Sequence, residues 1–472
     1  MALKEDLTKI IQGDVVDDAD ALQKYSRDTS IFTRTPKVVV FPKNEGDVAA
    51  VVKYVHEARE RGEDISVTGR SAGTDMTGGP LTDSISLVFT KYMNAVGPVA
   101  PNYAVSEPGA YYRDFEKATL KTVGKIFPPY PASRELCAIG GIVSNNSGGE
   151  LTLRYGKANK YVRELNLVLS DGSTAIMHPI SFTELESRKR ERNFEGSVYR
   201  EIHKLILENA DEIALAKPDV SKNSAGYALW NVIDNEHKTF DLTQLIVGSQ
   251  GTLAMVTKAK LGLVKTKEHR AMLVVFMSDL EILPEIVRRI LDKEPESFES
   301  YDDKTFSLAI RYLPQMLMQM GLFAAMKLGF AFIPDVLTVM RGGLPKLVLM
   351  AEFAEDTADE AVEKAKQARA ELSDLHVRTL IARSEAQAAK YWKVRRESFC
   401  ALAQKYSRPV RRPIYRRYRR APKRLSEILT RIRQARLRTF IYLYHCWPHR
   451  RRKFSHYPIG RNCKSRSAAR NA

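Results

Sequence analysis

Ile65-Ser-Val67-Thr-Gly69-Arg70-Ser-Ala-Gly73-Thr-Asp-Met-Thr-Gly78-Gly79-Pro80 is the stretch on which the reading of this chain turns. A short β-branched run, Ile65 to Val67, reads as a strand and feeds a loop of glycine, alanine and small hydroxyl residues. Such residues let backbone N–H groups approach phosphate oxygens closely. One loop of this kind is more often a plain turn, and this one lacks the G-x-G-x-x-G spacing of a Rossmann site. Two further segments share its character. One runs Pro128-Pro-Tyr-Pro131-Ala-Ser133, then Ile139-Gly-Gly141-Ile-Val-Ser-Asn145-Asn-Ser-Gly148-Gly149, then Arg154-Tyr-Gly156. The other is Val247-Gly-Ser-Gln-Gly251-Thr252-Leu253. Three such loops in one region, each beside apolar strand signals, are harder to dismiss as turns.

Working outward, Val38 to Phe41 reads as a buried strand, and Asp47 to Arg61 as a helix with Val48, Val51, Val52 and Val55 on one face. Leu165, Leu167 and Leu169 alternate up to Asp171-Gly172, a hairpin signal. The stretch from about 180 to 240 is polar and helix-rich around Glu201 to Leu207. After Val264 a second α+β pattern begins: a strand over Met272 to Phe276, a helix over Leu283 to Leu291, a strand over Leu347 to Glu352 and a helix near Asp359 to Leu372. Between them, Tyr312 to Met326 is an uncharged, Met-rich run of 15 residues. It is short of the roughly 20 residues that span a bilayer, so a core helix is expected, with a membrane-surface or pocket-wall role as the alternative.

The 472 residues suffice for two or three domains and a large core. A 44% hydrophobic and 28% charged composition is that of a globular protein. The net charge of +18 suggests nucleic acid or an anionic surface, but it is unevenly held. From Lys405 to Ala472 there are 22 Lys and Arg against one acid, Glu427, a balance of +21. The first 404 residues, with 52 bases and 55 acids, stand at −3. Cys137, Cys400, Cys446 and Cys463 are too scattered for a disulfide framework or a zinc cluster, which fits a reducing cytosol. The N-terminal Met1-Ala-Leu-Lys-Glu-Asp lacks an apolar signal-peptide core, so a cytoplasmic location is expected, with peripheral contact at the cytoplasmic membrane as a further option.

The order and wording of the three segments resemble the FAD-binding domain of the vanillyl-alcohol oxidase/p-cresol methylhydroxylase superfamily, and within it the group of the D-lactate dehydrogenases and the glycolate oxidase flavoprotein GlcD. That group opens with strings like Tyr25-Ser-Arg-Asp28 and Pro36-Lys-Val-Val-Val-Phe-Pro42. Its diphosphate loop is of the type R-G-G-G-T-S-L-S-G-G, here Arg70-Ser-Ala-Gly-Thr-Asp-Met-Thr-Gly-Gly79. P-P-D-P-A-S, I-G-G-N-V-A-T-N-A-G-G, R-Y-G and V-G-S-E-G-T-L-G follow, with Tyr130, Ile142 and Gln250 departing from the usual Asp, Asn and Glu. The resemblance covers residues from about 20 to 400.

It implies an α+β fold: a two-subdomain FAD-binding domain of the p-cresol methylhydroxylase type over residues 1–264, then an α+β substrate or cap domain over 265–404. Arg70, Ser71, Ala72, Gly73 and Thr74, with Thr77 and Gly78, would wrap the FAD diphosphate through backbone amides. Pro131, Ala132, Ser133, Gly140, Gly141, Asn145, Ser147 and Gly148 would line the flavin and its ribityl chain. Val247, Gly248, Gly251 and Thr252 would close over the adenine side. Some relatives bond FAD covalently through a His in the first loop; no His lies between Arg70 and Gly79, so the implied FAD is non-covalent. Tyr391-Trp392-Lys-Val-Arg395 looks like the family's W-x-x-R helix, whose Arg contacts the substrate carboxylate. Guanidinium suits that task because it binds a carboxylate with two parallel hydrogen bonds, although an exposed helix Arg is the plain alternative.

Family members continue into A-P-F-I-D-D-I and G-H-I-G-D-G-N-F-H-I-I-P, whose two His bind a divalent metal or assist catalysis, and later into G-E-H-G. None of these is legible here. With synonymous codons chosen, T-I-A-G-H-I-G-D-G-N-F-H-I-I-P read one base out of frame spells His445 to Pro458, and A-P-F-I-D-D-I-V-V-R-P spells Pro413 to Pro422. Codons for Gly and Asp then become Arg, which accounts for the charge. The expectation is a frameshift between Lys405 and Arg412 and a non-native, disordered basic tail over 405–472, with the seven-residue spacing of His449 and His456 a codon coincidence and no metal ligands of the chain's own.

The expected activity is FAD-dependent oxidation of a small D-2-hydroxy acid of the D-lactate or glycolate type, impaired by loss of the His/metal motif. A quinone, cytochrome or partner subunit would accept the electrons. An ether-lipid synthase that uses FAD without net redox is the same-fold alternative. Anion or nucleic-acid binding through the tail is the non-enzymatic one, without sequence-specific recognition.

Overall fold

The computed structural model describes residues 2–220, 223, 225–305, 345–385, 387–392, 394 and 395, all inside the first of two compact units, 1–420 and 421–472. The Met-rich run at 312–326 and the tail from 405 lie outside the described residues.

The first sheet is built from β1 (Asp14–Val16), β2 (Val38–Phe41), β3 (Val67–Arg70) and β4 (Ile85–Val88) in the order β1-β2-β4-β3. β2, β4 and β3 run parallel, and β1 closes one edge antiparallel. β2 and β4 are buried at every position, as continuous apolar strands in a parallel sheet should be. The helix Glu45–Glu60 covers the sheet with Val48, Val51, Val52 and Val55. It starts two residues before the sequence suggests because Asn44 caps it, accepting the Asp47 N–H at 2.9 Å. β3 also falls later than expected. Its ladder to β4 runs from Val67 to Arg70, so the strand carries Arg70 to the mouth of the glycine-rich loop.

The second sheet is antiparallel and joins β5 (Val96–Ala100), β6 (Tyr103–Ser106), β7 (Val162–Val168), β8 (Thr174–Met177) and β12 (Met255–Gly262) in the order β5-β6-β12-β7-β8. β7 and β8 form the hairpin that Asp171-Gly172 signals. The chain leaves after β8 for an excursion with helices Phe182–Arg188 and Phe194–Glu208 and a small sheet of β9 (Ile180–Ser181), β10 (Ile233–Asp234) and β11 (Thr239–Phe240). It returns as β12 at the centre of the sheet. The third glycine-rich segment is the last stretch before β12, so the topology delivers it to the middle of this region. A single large core, with Tyr112, Phe115, Phe127 and Phe240 fully buried, packs under the sheet.

A further antiparallel sheet of four strands follows: β13 (His269–Met277), β14 (Ser297–Asp302), β15 (Leu347–Glu355) and β16 (Arg378–Ala382), ordered β14-β15-β13-β16. Helices Leu283–Leu291 and Ala358–Ala370 cover one face of this C-terminal sheet; Ala361, Ala365 and Ala368 let the second helix lie close to the strands. Thr357 and Glu360 cap that helix reciprocally. Tyr391, Trp392 and Val394 pack on the other face against Met272, Val274 and Met350. The whole is an α+β fold: a two-part first region followed by a smaller sheet domain. Among the described residues no helix is long and apolar enough to cross a membrane.

Candidate functional site

The loop after β3 is shaped by its own first residue. Arg70 is buried, and its guanidinium donates to the carbonyls of Tyr25 (3.3 Å) and Arg27 (2.6 Å) while lying 5.4 Å from the centre of the Tyr25 ring. The side chain therefore anchors the 25–28 segment, and the loop must fold back over it. Gly73 makes this possible: it has φ +71°, and a Cβ there would stand 2.3 Å from Arg70 Nη2. Among the described residues, the backbone amides of 72–76 make no hydrogen bond. In the second half of the loop one oxygen of Asp75 accepts the Thr77 N–H (2.9 Å), the Thr77 hydroxyl (2.8 Å) and the Gly79 N–H (2.8 Å). Burial opposes ionisation of Asp75, but these donors outweigh it and hold its pKa below the ordinary value.

The other two segments meet this loop and each other. The Pro108 carbonyl accepts both the Ser71 hydroxyl (3.0 Å) and the Gly140 N–H (2.9 Å), joining the first loop to the second segment. Gly149 passes so close to Tyr130 that a Cβ would stand 2.1 Å from its carbonyl oxygen, so the two parts of the second segment lie backbone against backbone. Gly248 N–H donates to Val143 O (3.1 Å) and Gln250 N–H to Ser144 O (2.8 Å), seating the third segment on the second. Gln250 and Gly79 close the figure, since a Cβ on Gly79 would be 3.0 Å from Gln250 Oε1.

Most of the residues singled out from the sequence are thus neighbours. Ala132, Gly141, Asn145 and Thr252 are exposed, whereas Gly140 and Ser147 are buried behind them. Asn145 donates to the Ser147 hydroxyl at 3.0 Å, and Thr252 meets the Tyr227 hydroxyl at 2.8 Å. Pro131, Ser133 and Gly148 are partly exposed along the same run.

Arg395 belongs to a different neighbourhood. It stands beside β14, where its guanidinium pairs with Glu299. Strand register puts Glu299, Glu352 and Arg270 on the same side of the sheet as Met272 and Met350, the side on which Tyr391 and Trp392 pack. Glu352 accepts the Trp392 indole N–H at 3.2 Å. Burial pushes the Glu352 carboxyl up to about 7; nearby Glu296 and Glu150 add to the rise, and the Trp392 N–H and Arg270 pull against it. Glu296 has no exposed surface and accepts from Arg270 (2.8 Å) and from the Tyr155 hydroxyl (3.1 Å). Burial, helped by Glu296, raises the Tyr155 pKa to about 12. Arg154 donates to Ala354 O at 3.2 Å. The Arg154-Tyr-Gly156 string of the second segment is therefore a clasp onto the C-terminal sheet.

Asp75, Pro108, Glu296 and Glu352 do not stand out in the sequence as site residues. A signal existed for one: Glu352 interrupts an otherwise apolar run, Leu347 to Ala354. Pro108 carries no signal, because it acts through its carbonyl. Among the described residues no group of three or more His, Cys, Asp and Glu could hold a metal ion.

Comparison with known proteins adds to this geometry. A family described as FAD binding domain matches residues 36–177, and one described as FAD linked oxidases, C-terminal domain, matches 266–442. The chain is 26% identical over 285 residues to D-2-hydroxyglutarate dehydrogenase of Escherichia coli, covering 60% of this chain and 28% of that protein. It is 26% identical over 311 residues to glycolate oxidase subunit GlcD of Bacillus subtilis, 64% of this chain and 54% of that protein. To D-lactate dehydrogenase of Archaeoglobus fulgidus it is 26% identical over 307 residues, 63% and 56%. The chain thus spans between about a quarter and just over half of the length of these relatives. Among solved structures, alkyldihydroxyacetonephosphate synthase superposes with a TM-score of 0.56 at 15% identity, covering 82% of this chain and 61% of that one, a likeness of fold.

Proposed function

This chain belongs to the FAD-linked oxidases of the vanillyl-alcohol oxidase/p-cresol methylhydroxylase superfamily, in the group of the D-lactate dehydrogenases and the glycolate oxidase flavoprotein GlcD, and on that premise we propose that it binds FAD non-covalently at the three joined segments and is built to oxidise a small D-2-hydroxy acid. The observation that carries the proposal is the run of amides at 72–76, without internal acceptors among the described residues, at the point where the three segments converge. Unpaired backbone donors in a glycine-rich loop suit a diphosphate. Thr77 gives its amide to Asp75, so the diphosphate falls chiefly to residues 72–76. The second segment would line the flavin, and Val247 to Thr252 the adenine side.

Oxidation of a hydroxy acid needs a hydride acceptor, and that is the chemistry FAD supplies when bound. Arg395 would dock the substrate carboxylate. It already pairs with Glu299, so a substrate carboxylate would have to share or displace that pairing. The base that takes the hydroxyl proton in relatives belongs to the His motif that is illegible after residue 405, and we propose FAD binding with little turnover. Electrons would pass to a quinone, a cytochrome or a partner subunit.

Purified full-length protein should release flavin into the supernatant on acid precipitation, and D-lactate, glycolate or D-2-hydroxyglutarate should bleach it anaerobically. A colourless protein that takes up no FAD sinks the cofactor reading; a bound flavin whose absorbance none of these acids shifts or bleaches, even slowly, sinks the substrate class. Arg395→Ala should raise the half-saturating concentration of the hydroxy acid about tenfold, and an unchanged value removes its role. Turnover equal to that of intact relatives would overturn the impairment. The gene decides the frameshift. The alternative frame must encode D-G-N-F-H and a downstream G-E-H-G; the family match that continues in the given frame to residue 442, past the proposed shift, weighs against it.

A further inference from the structure

Asp75 stands where two of the three segments touch. Its carboxylate binds only the far half of the loop, at Thr77 and Gly79, and leaves the amides of 72–76 outside its reach. Across Gly79 stands Gln250 of the third segment: a Cβ at Gly79 would be 3.0 Å from Gln250 Oε1 and 3.4 Å from Asp75 Oδ2. The Asp75 main chain is held separately, its carbonyl accepting the N–H and hydroxyl of Thr29 at 3.2 and 2.7 Å. The residue is thus pinned by its backbone on one side and organises the loop through its side chain on the other.

We propose that Asp75 is a positioning residue for the cofactor: it fixes the far half of its own loop, whose Gly79 abuts Gln250 of the third segment, so that the amides of 72–76 are presented together to the FAD diphosphate. This rests on the FAD reading above. A carboxylate near a diphosphate also repels it. At a partly exposed position nearby solvent weakens that repulsion, whereas an unfixed loop must lose backbone freedom residue by residue on binding. Preorganisation is the larger effect.

The test is titration of the full chain, stripped of flavin, with FAD. Asp75→Ser should raise the dissociation constant about tenfold; the flavin-free protein should melt slightly lower, since hydrogen bonds to an ionised carboxylate are lost, but stay folded because the Thr29 tie remains. The double variant D75S/Q250E, which brings a carboxylate to Gly79 from the other side, should recover most of that loss. Asp75→Asn keeps one acceptor oxygen and should fall between; it serves as the test where D75S does not fold. Binding by D75S as tight as or tighter than wild type overturns the proposal, and so does a double variant no better than the single one. If the wild-type chain takes up no FAD, both this proposal and the cofactor reading fall; if it does and D75S matches it, only this one falls.

Discussion

The region around the glycine-rich loops and the inner face of the C-terminal sheet solve different problems with different materials. The loops are made of backbone. Their contacts are Pro108 O to Ser71 and Gly140, Val143 O to Gly248, and Ser144 O to Gln250, and their charged groups, Arg70 and Asp75, hold the loop rather than project from it. The sheet face is made of charged side chains, Arg270, Glu296, Glu352, Glu299 and Arg395, set on or against strands whose other side packs an apolar core. A backbone site tolerates changes of side chain but not of shape. A charged, buried face is most sensitive to loss of a partner, because each charge left unpaired then bears its full desolvation cost.

That contrast can be broken. Glu296→Ala removes the fully buried partner of Arg270 and Tyr155, and should cost about 3–5 kcal/mol in urea unfolding. A loss under about 1 kcal/mol would mean that the clasp between the second segment and the sheet is not held by charge.

Glu352 gives the pH test. Its folded pKa of about 7 lies above the ordinary 4.5, so its proton stabilises the fold fully below about 4.5, and that contribution is lost as the pH rises through 7. Glu352→Gln keeps an acceptor for Trp392 and removes the charge. It should be the more stable protein at pH 8 by up to about 3 kcal/mol, with the advantage gone near pH 4.5. Equal pH dependence in the two proteins would show that Glu352 is not buried as a neutral acid.

The smallest effect is expected in the loops. Gly149→Ala sets a Cβ against the Tyr130 carbonyl and should lower stability by about 2 kcal/mol while also weakening FAD uptake. A change in stability without a change in uptake, or the reverse, would separate the shape of the second segment from the cofactor site.

Much of the fold is legible in the sequence. The strands Val38–Phe41 and Leu347–Glu355 and the helix Leu283–Leu291 follow from apolar periodicity, and the hairpin at Asp171-Gly172 from its turn residues. The departures are local and physical. The strand that feeds the first glycine-rich loop runs Val67–Arg70 rather than Ile65 to Val67, because pairing with β4, not β-propensity, sets where it stops. Arg70 reads in the sequence as part of a ligand loop, yet its side chain turns inward to carbonyls 43 and 45 residues away along the chain.

The sequence by itself determined the fold class, the family and the three segments with their glycines, because backbone shape is written in which residues lack a side chain. Only the tertiary structure decided that Pro108 is the joint between two loops, that Gly79, held by Asp75, meets Gln250 at the third corner, and that Glu352 faces Arg270 and Glu296 across strands far apart in the chain. Those facts depend on distances between remote residues, and a carboxylate's burial and proton affinity are set by what surrounds it in space, not by its neighbours in sequence.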